Sequence, residues 1–405
     1  MPDHTPPHGQ AHAHHGINTR LSHAGRAGSK TPGFVNPPLI RGSTMLYGTC
    51  ENRKSSGAKR LEQAMLYGVM GNATHHALED VVAEIEGGTR CQITSSGLSA
   101  VTTPLLSYLG AGDHLLMPDS VYGPARSFCD GMLARLGVVT TYYPPTIDAA
   151  GLEAFWRPET KVLYLESPGS HTFEMQDVPA LCAMAHARGA STMLDNTWGI
   201  HFFQPFQHGV DVSIQALTKY VVGHSDVLLG SVTTNDPVHW ERVRIGALTL
   251  GQYASPDDCW LALRGARTMG VRLKQQMRSG IEVAEWLAAR PEVARVLHPA
   301  LPGAPGHAIW KRDFTGACSL FGVELQPKYT AAAMAAMVDS LDLFGIGASW
   351  GGYESLALPT TGFVTRTAET GIFAGPVLRL HIGLEDVPDL TADLDRGLAV
   401  LRAYG

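Results

Sequence analysis

The chain has 405 residues, 44% apolar and 17% charged, with a formal net charge of -6 at pH 7. Such a balance predicts a globular protein of two or three packed units with a sizeable core. With no basic block, nucleic acid is excluded as an expected partner, and no apolar run approaches the length of a membrane span.

Taken in order, the chain begins with a stretch to about Gly33 that is rich in His, Gly, Pro and Ala, including His4, His8, His12, His14 and His15. Such a tract can hold a transition metal weakly. Its composition predicts a disordered tail instead. The next segment, FVNPPLIRGSTMLY from Phe34, mixes prolines with apolar residues and predicts an ordered arm, with a neighbouring subunit as one candidate for what it packs on. Thr74 is placed to cap a helix whose apolar face carries Leu78, Val81, Val82 and Ile85. Gly87 and Gly88 end it.

In CQITSSGLSAVTTPLLSYLG, from Cys91, a strand runs into Ser95-Ser96-Gly97 and a helix follows. Free N–H groups and the helix dipole make such a turn suited to an anion, and Gly97 lets backbone approach a ligand closely. The strand DHLLMP leads to Tyr122, in a loop before the next helix. An aromatic face there can hold a flat conjugated ring, although a lone tyrosine is more often a core or loop residue. The runs GVVTTYY, KVLYLES, STMLDN and DVSIQAL alternate with helix-like stretches such as VPALCAMAHARGA. This alternation predicts a mainly parallel sheet covered on both faces, with functional residues beyond the carboxyl ends of its strands.

Asp195 ends one such strand, where an unpaired buried acid would be costly. An N-cap aspartate is the plain reading of that residue alone. Lys219 follows another strand, in DVSIQALTKYVVGHSDVLLGS. A lysine near a buried strand end is expensive to keep charged and becomes useful as a neutral nucleophile. Taken alone, a surface lysine in a loop is the simpler reading. From about Asp257 a long helical stretch leads to a second unit, with VARVLHP, ACSLFGVEL and VLRLHIGL as strands and AAAMAAMVDSLDLF and LTADLDRGLAVLRAY as helices. Arg379 lies on the last of those strands, where a guanidinium matches a carboxylate. The expected division is a tail and arm over 1–66, a large domain over 67–260 and a smaller C-terminal α/β domain over 261–405. The six cysteines (Cys50, Cys91, Cys129, Cys182, Cys259 and Cys318) lack metal-type spacing and are expected to be reduced thiols, with no metal site. No charged-then-apolar leader opens the sequence, and a cytoplasmic location is expected.

Four segments together carry a resemblance: SIQALTKYVVGHSD around Lys219, MLDNTW around Asp195, SWGGYES from Ser349 and RLHIGLED from Arg379. From roughly Tyr67 to the C-terminus the chain resembles the cysteine/methionine-metabolism family of pyridoxal-phosphate enzymes. The resemblance implies an α/β, type I PLP-dependent transferase (aspartate aminotransferase-like) fold, and pyridoxal 5'-phosphate bound to Lys219 as a Schiff base. It assigns Asp195 to the pyridinium nitrogen, Tyr122 to the ring face, and the amides of Gly97 and Leu98 with Thr218 to the phosphate. Tyr67 reaches the cofactor of an adjacent subunit. Arg379 holds the substrate carboxylate, with Ser349 and Trp350 lining the pocket, and Tyr122 or Tyr67 assists proton transfer. ESPGS and Trp198 resemble the bacterial β-eliminating branch, which implies carbon–sulfur lysis of an amino-acid thioether, L-cystathionine above all, with other cysteine S-conjugates as further candidates. The implied assembly is a homotetramer of dimers with shared active sites. A γ-acting relative and a non-catalytic protein of the same fold are the alternatives. The sequence departs from the family where Val69 replaces a phosphate-binding arginine, Ala73 a proline and Ala216 a serine.

Overall fold

A computed structural model of the chain describes residues 15–26 and 34–404. Most of the expected tail, with His4, His8, His12 and His14, lies outside the described residues. Within it the expectation of disorder fails at Ile17–His23, a helix. Leu21 is fully buried, and the helix packs on the helices Ala73–Glu86 and Pro256–Ala288. Arg20 pairs with Glu84 at 2.9 Å, and Arg267 donates to the carbonyl of Ala24 at 2.8 Å. One apolar anchor and two cationic contacts offset the ordering entropy that a polar composition alone would not.

The large sheet holds β1 (Arg90–Thr94), β2 (His114–Pro118), β3 (Val139–Tyr143), β4 (Thr160–Glu166), β5 (Ser191–Asp195), β6 (Val212–Gln215) and β7 (Gly230–Thr234), in the order β1-β7-β6-β5-β4-β2-β3. Strands β2 to β6 pair in parallel. β7 runs antiparallel to both β1 and β6, so β1 points the same way as the parallel strands. The period of two along each strand sends alternate residues to opposite faces. Leu115, Met117, Val162, Tyr164 and Met193 join one core cluster, and Leu116, Leu163, Leu165 and Leu194 the other. Both faces are therefore covered, and the strands read as near-continuous apolar runs.

The second sheet, β10-β11-β9-β8, is antiparallel throughout. Its strands are β8 (Val293–Leu297), β9 (Leu320–Leu325), β10 (Leu356–Pro359) and β11 (Val377–His381). It packs on the helices Ala331–Asp339 and Val387–Tyr404 in a core of its own. The 33-residue helix Pro256–Ala288 serves both cores, through Leu263, Met269 and Leu273 toward the first and Val283, Ala284 and Leu287 toward the second.

One local expectation is corrected. The cap of Ala73–Glu86 is Asn72, whose side chain accepts from the Thr74 amide at 2.9 Å. Thr74 instead ties the arm to the helix: its hydroxyl accepts from Ile40 N and donates to Pro38 O, each at 2.9 Å. Gly87 ends the helix with φ of +69°, the left-handed conformation that favours glycine.

Candidate active site

The carboxyl ends of β1, β2, β4, β5 and β6 meet at one edge of the large sheet, where a cavity of about 250 Å³ opens toward β11 of the second sheet. Lys219 stands four residues past the end of β6 and lines this cavity. Its Nζ donates to Ser349 Oγ at 2.8 Å and lies 5.2 Å from the centroid of the Trp350 ring. Burial, and then the nearby Arg379 guanidinium, lowers the Lys219 pKa to about 8, which Asp195 only partly opposes. The loop carrying Ser349 and Trp350 presses on the lysine backbone. A Cβ on Gly351 would stand 2.8 Å from the Lys219 carbonyl carbon, and that glycine has φ of +88°.

Asp195 closes β5 and faces the same space. Its Oδ1 accepts from the Thr197 amide at 3.0 Å, and among the described residues no arginine or lysine forms an ion pair with it. Burial raises its proton affinity. A cationic ring nitrogen would supply the partner that the protein does not.

Glu166, which sequence reading missed, is register-paired with Asp195 at the end of β4. It is buried, and it accepts from the Tyr122 amide at 2.8 Å. Burial, and then the Asp195 charge, push its carboxyl well above the usual range. KVLYLE ending on an acid, as MLD does, was the signal that could have found it. Tyr122 itself lines the cavity, and burial with the two acids raises its hydroxyl pKa.

The strand Arg90–Thr94 runs through Ser95 and Ser96 into a helix, the local strand–turn–helix expected there. Ser96 caps the helix Gly97–Tyr108, its hydroxyl accepting from Ser99 N at 3.1 Å. The amides of Gly97 and Leu98 come first in the helix and find no acceptor within it. A Cβ on Gly97 would meet the Ala216 methyl at 2.6 Å, so the helix start rests directly on the strand end. Thr218 also lines the cavity, but its hydroxyl donates to Leu229 O at 3.1 Å and accepts from Leu229 N at 2.9 Å. To bind a phosphate oxygen it would have to redirect that proton.

Arg379 projects from β11 into the cavity and is 8% exposed. Its Nη2 donates to the carbonyls of Ala348 at 2.9 Å and Ser349 at 3.2 Å, and no carboxylate pairs with it among the described residues. Burial brings its pKa to about 10. A substrate carboxylate would fill that gap. Ser349 meets the site through Lys219, while Trp350 lines it. Tyr67 is 53% exposed and is not one of the residues that line this cavity. Val69 lies beside Gln92 and Arg244, and Arg244 donates to the adjacent Met70 carbonyl at 2.8 Å.

An unpaired acid, a neutralisable amine, free helix amides and a flanking tyrosine suit a flat, phosphorylated, cationic aromatic aldehyde. That is the chemistry of pyridoxal phosphate. The family model described as "Cys/Met metabolism PLP-dependent enzyme" matches residues 18–399. The chain is 43% identical to the cystathionine beta-lyase of Escherichia coli strain K12, over 95% of this chain and 98% of that one. It is 41% identical to the cystathionine beta-lyase of Salmonella typhimurium, over 95% and 98%. The solved structure of metB from Corynebacterium glutamicum superposes with a TM-score of 0.87 at 27% identity, covering 96% of this chain and 98% of that one. With the match running through both sheets and every wall of the cavity, the chain belongs to the Cys/Met metabolism family of PLP-dependent enzymes.

Proposed function

We propose that the protein is a carbon–sulfur lyase that performs β-elimination on L-cystathionine, giving homocysteine, pyruvate and ammonia for methionine biosynthesis. The observation that carries this reading is the convergence of Lys219, Asp195 and Arg379 on one cavity. The two relatives above, at 43% and 41% identity, bear the name cystathionine beta-lyase and favour β- over γ-elimination.

When bound, pyridoxal phosphate supplies an aldehyde for the substrate amine and a ring that takes up the electron pair left at Cα. The protein's residues do the rest. Asp195 stays ionised against the ring nitrogen and keeps it protonated. The Gly97 and Leu98 amides and Thr218 hold the phosphate. Arg379 fixes the α-carboxylate and so orients the Cα–H bond. Lys219, with its lowered pKa, removes the Cα proton through Nζ, and Ser349 aims that amine. The Cβ–S bond then breaks with its electron pair on sulfur. Tyr122, kept protonated by burial and the nearby acids, donates a proton to the departing thiolate. Water completes the conversion of the remaining three-carbon fragment to pyruvate and ammonia.

The same reading assigns a cytoplasmic location and a homotetramer of dimers, in which Tyr67 serves the neighbouring subunit's phosphate. The test is direct. Purified protein with added pyridoxal phosphate should show a visible absorption band, and borohydride should fix the cofactor to Lys219 in a mapped peptide. No visible band despite added cofactor would favour the non-catalytic alternative.

A further inference from the structure

Beside the site just described lies a second cavity, of about 310 Å³. Ser170 and His171 line both cavities, which are therefore neighbours. His171 sits in the left-handed region, φ +62°, and stacks against Phe363 with ring centroids 6.3 Å apart.

Several polar groups of the residues that line this second cavity are buried without a partner. The Arg366 side chain is 4% exposed; it pairs with Glu174, and its Nη2 also donates to Thr172 Oγ1 at 3.1 Å. Its Nε and Nη1 have no partner, and neither do Ser120 Oγ or His171 Nδ1. A buried donor left unpaired costs about 1–3 kcal/mol, so four such atoms in three residues that line one cavity point to a missing partner. Guanidinium N–H groups only donate, and a hydroxyl and a neutral imidazole can donate as well.

The charges nearby are already committed. Asp119 accepts from Arg126 and from the amides of Thr367, Ala368 and Glu369. Arg126 is held by that pair and lies 3.6 Å over the Tyr142 ring. The groups left free thus favour an acceptor-only anion of carboxylate size.

We propose that this cavity is the subsite for the carboxylate on the sulfur-side arm of the thioether substrate, held by Arg366 with Ser120 and His171. The proposal rests on the lyase reading. It deepens it by separating substrates whose leaving thiol carries a carboxylate, such as cystathionine, from simple S-alkylcysteines.

The test compares kcat/KM of the holoenzyme for L-cystathionine and for S-ethyl-L-cysteine, whose ethyl arm has no carboxylate. Losing hydrogen bonds to a charged group corresponds to roughly a 10- to 100-fold effect. Arg366→Gln should lower kcat/KM for cystathionine by that factor, chiefly through KM, and leave the S-ethyl substrate within about threefold. Equal losses on both substrates, or no loss on either, would overturn the subsite. Since Arg366→Gln also breaks the Glu174 pair and could unfold the protein, Ser120→Ala is the second variant. It removes one hydroxyl and should show the same selectivity, about three- to tenfold; a parallel response of the two substrates would again overturn the idea. A wild-type holoenzyme that eliminates neither substrate would sink the lyase reading, and the subsite with it. A wild type that eliminates both, with variants affecting both alike, would sink the subsite alone.

Discussion

Lys219 and Arg379 share one cavity, and the guanidinium helps keep the amine neutral. Arg379→Leu should therefore do two things. It should raise KM for amino-acid substrates by about 10- to 100-fold through loss of the carboxylate contact. It should also raise the Lys219 pKa from about 8 toward that of an ordinary lysine, because a nearby cation disfavours the protonated amine. The pH dependence of pyridoxal-phosphate capture by the cofactor-free protein reads the second effect. A pKa still near 8 in the variant would mean that burial alone sets it. At this scale Lys219, Asp195 and Arg379 were legible because each sits in a distinctive local segment. Glu166 was not, because its meaning depends on the register that puts it beside Asp195 across two strands. The commitment of Thr218 to Leu229 was equally hidden, since that contact closes a loop of ten intervening residues.

The elements around the site explain its precision. Gly351 packs where any side chain would strike the Lys219 backbone. Gly351→Ala should slow cofactor capture while leaving the fold intact by circular dichroism; unchanged capture would show that the loop can retreat without cost. A second test concerns the helix Ala73–Glu86. Its last residue, Glu86, is fully buried. It accepts from Ser213 and Gln215 of β6, and from Asn196 Nδ2 at 3.3 Å. No cation pairs with it among the described residues, and burial raises its pKa from 4.5 to about 8. The folded protein thus holds the Glu86 proton more tightly than the unfolded chain. This group's contribution is greatest below pH 4.5, declines as pH rises, and is gone above about 8. Glu86→Gln should flatten the fall in denaturation midpoint between pH 5 and 8. A variant with the wild-type slope would show that Glu86 does not titrate there. Most strands and helices were legible from their apolar periodicity. β7 and β10 were not: β7 is a short Ser/Thr strand opened by glycine, and the four-residue β10 ends on proline, so pairing with neighbours defines both.

For the whole molecule, the departure at Val69 and the bare surface of the arm bear on one proposal. Phe34, Val35 and Leu46 are 79%, 67% and 92% exposed, and they offer the apolar contact that a second copy would cover. The proposed tetramer should elute at four times the 43.4 kDa of one chain. If the arm carries Tyr67 and Val69 to a neighbour's phosphate, Val69→Arg should tighten cofactor binding by about 10- to 100-fold. Unchanged affinity would place this turn away from the phosphate. Such contacts between copies cannot be traced in one chain's periodicity, and neither could the helix Ile17–His23, whose order depends on residues some 250 positions away. The central claim, β-elimination from a cofactor held at Lys219, is tested most directly by identifying the products that purified protein with pyridoxal phosphate forms from L-cystathionine. The account predicts homocysteine, pyruvate and ammonia in equal amounts, and 2-oxobutyrate with cysteine would contradict it.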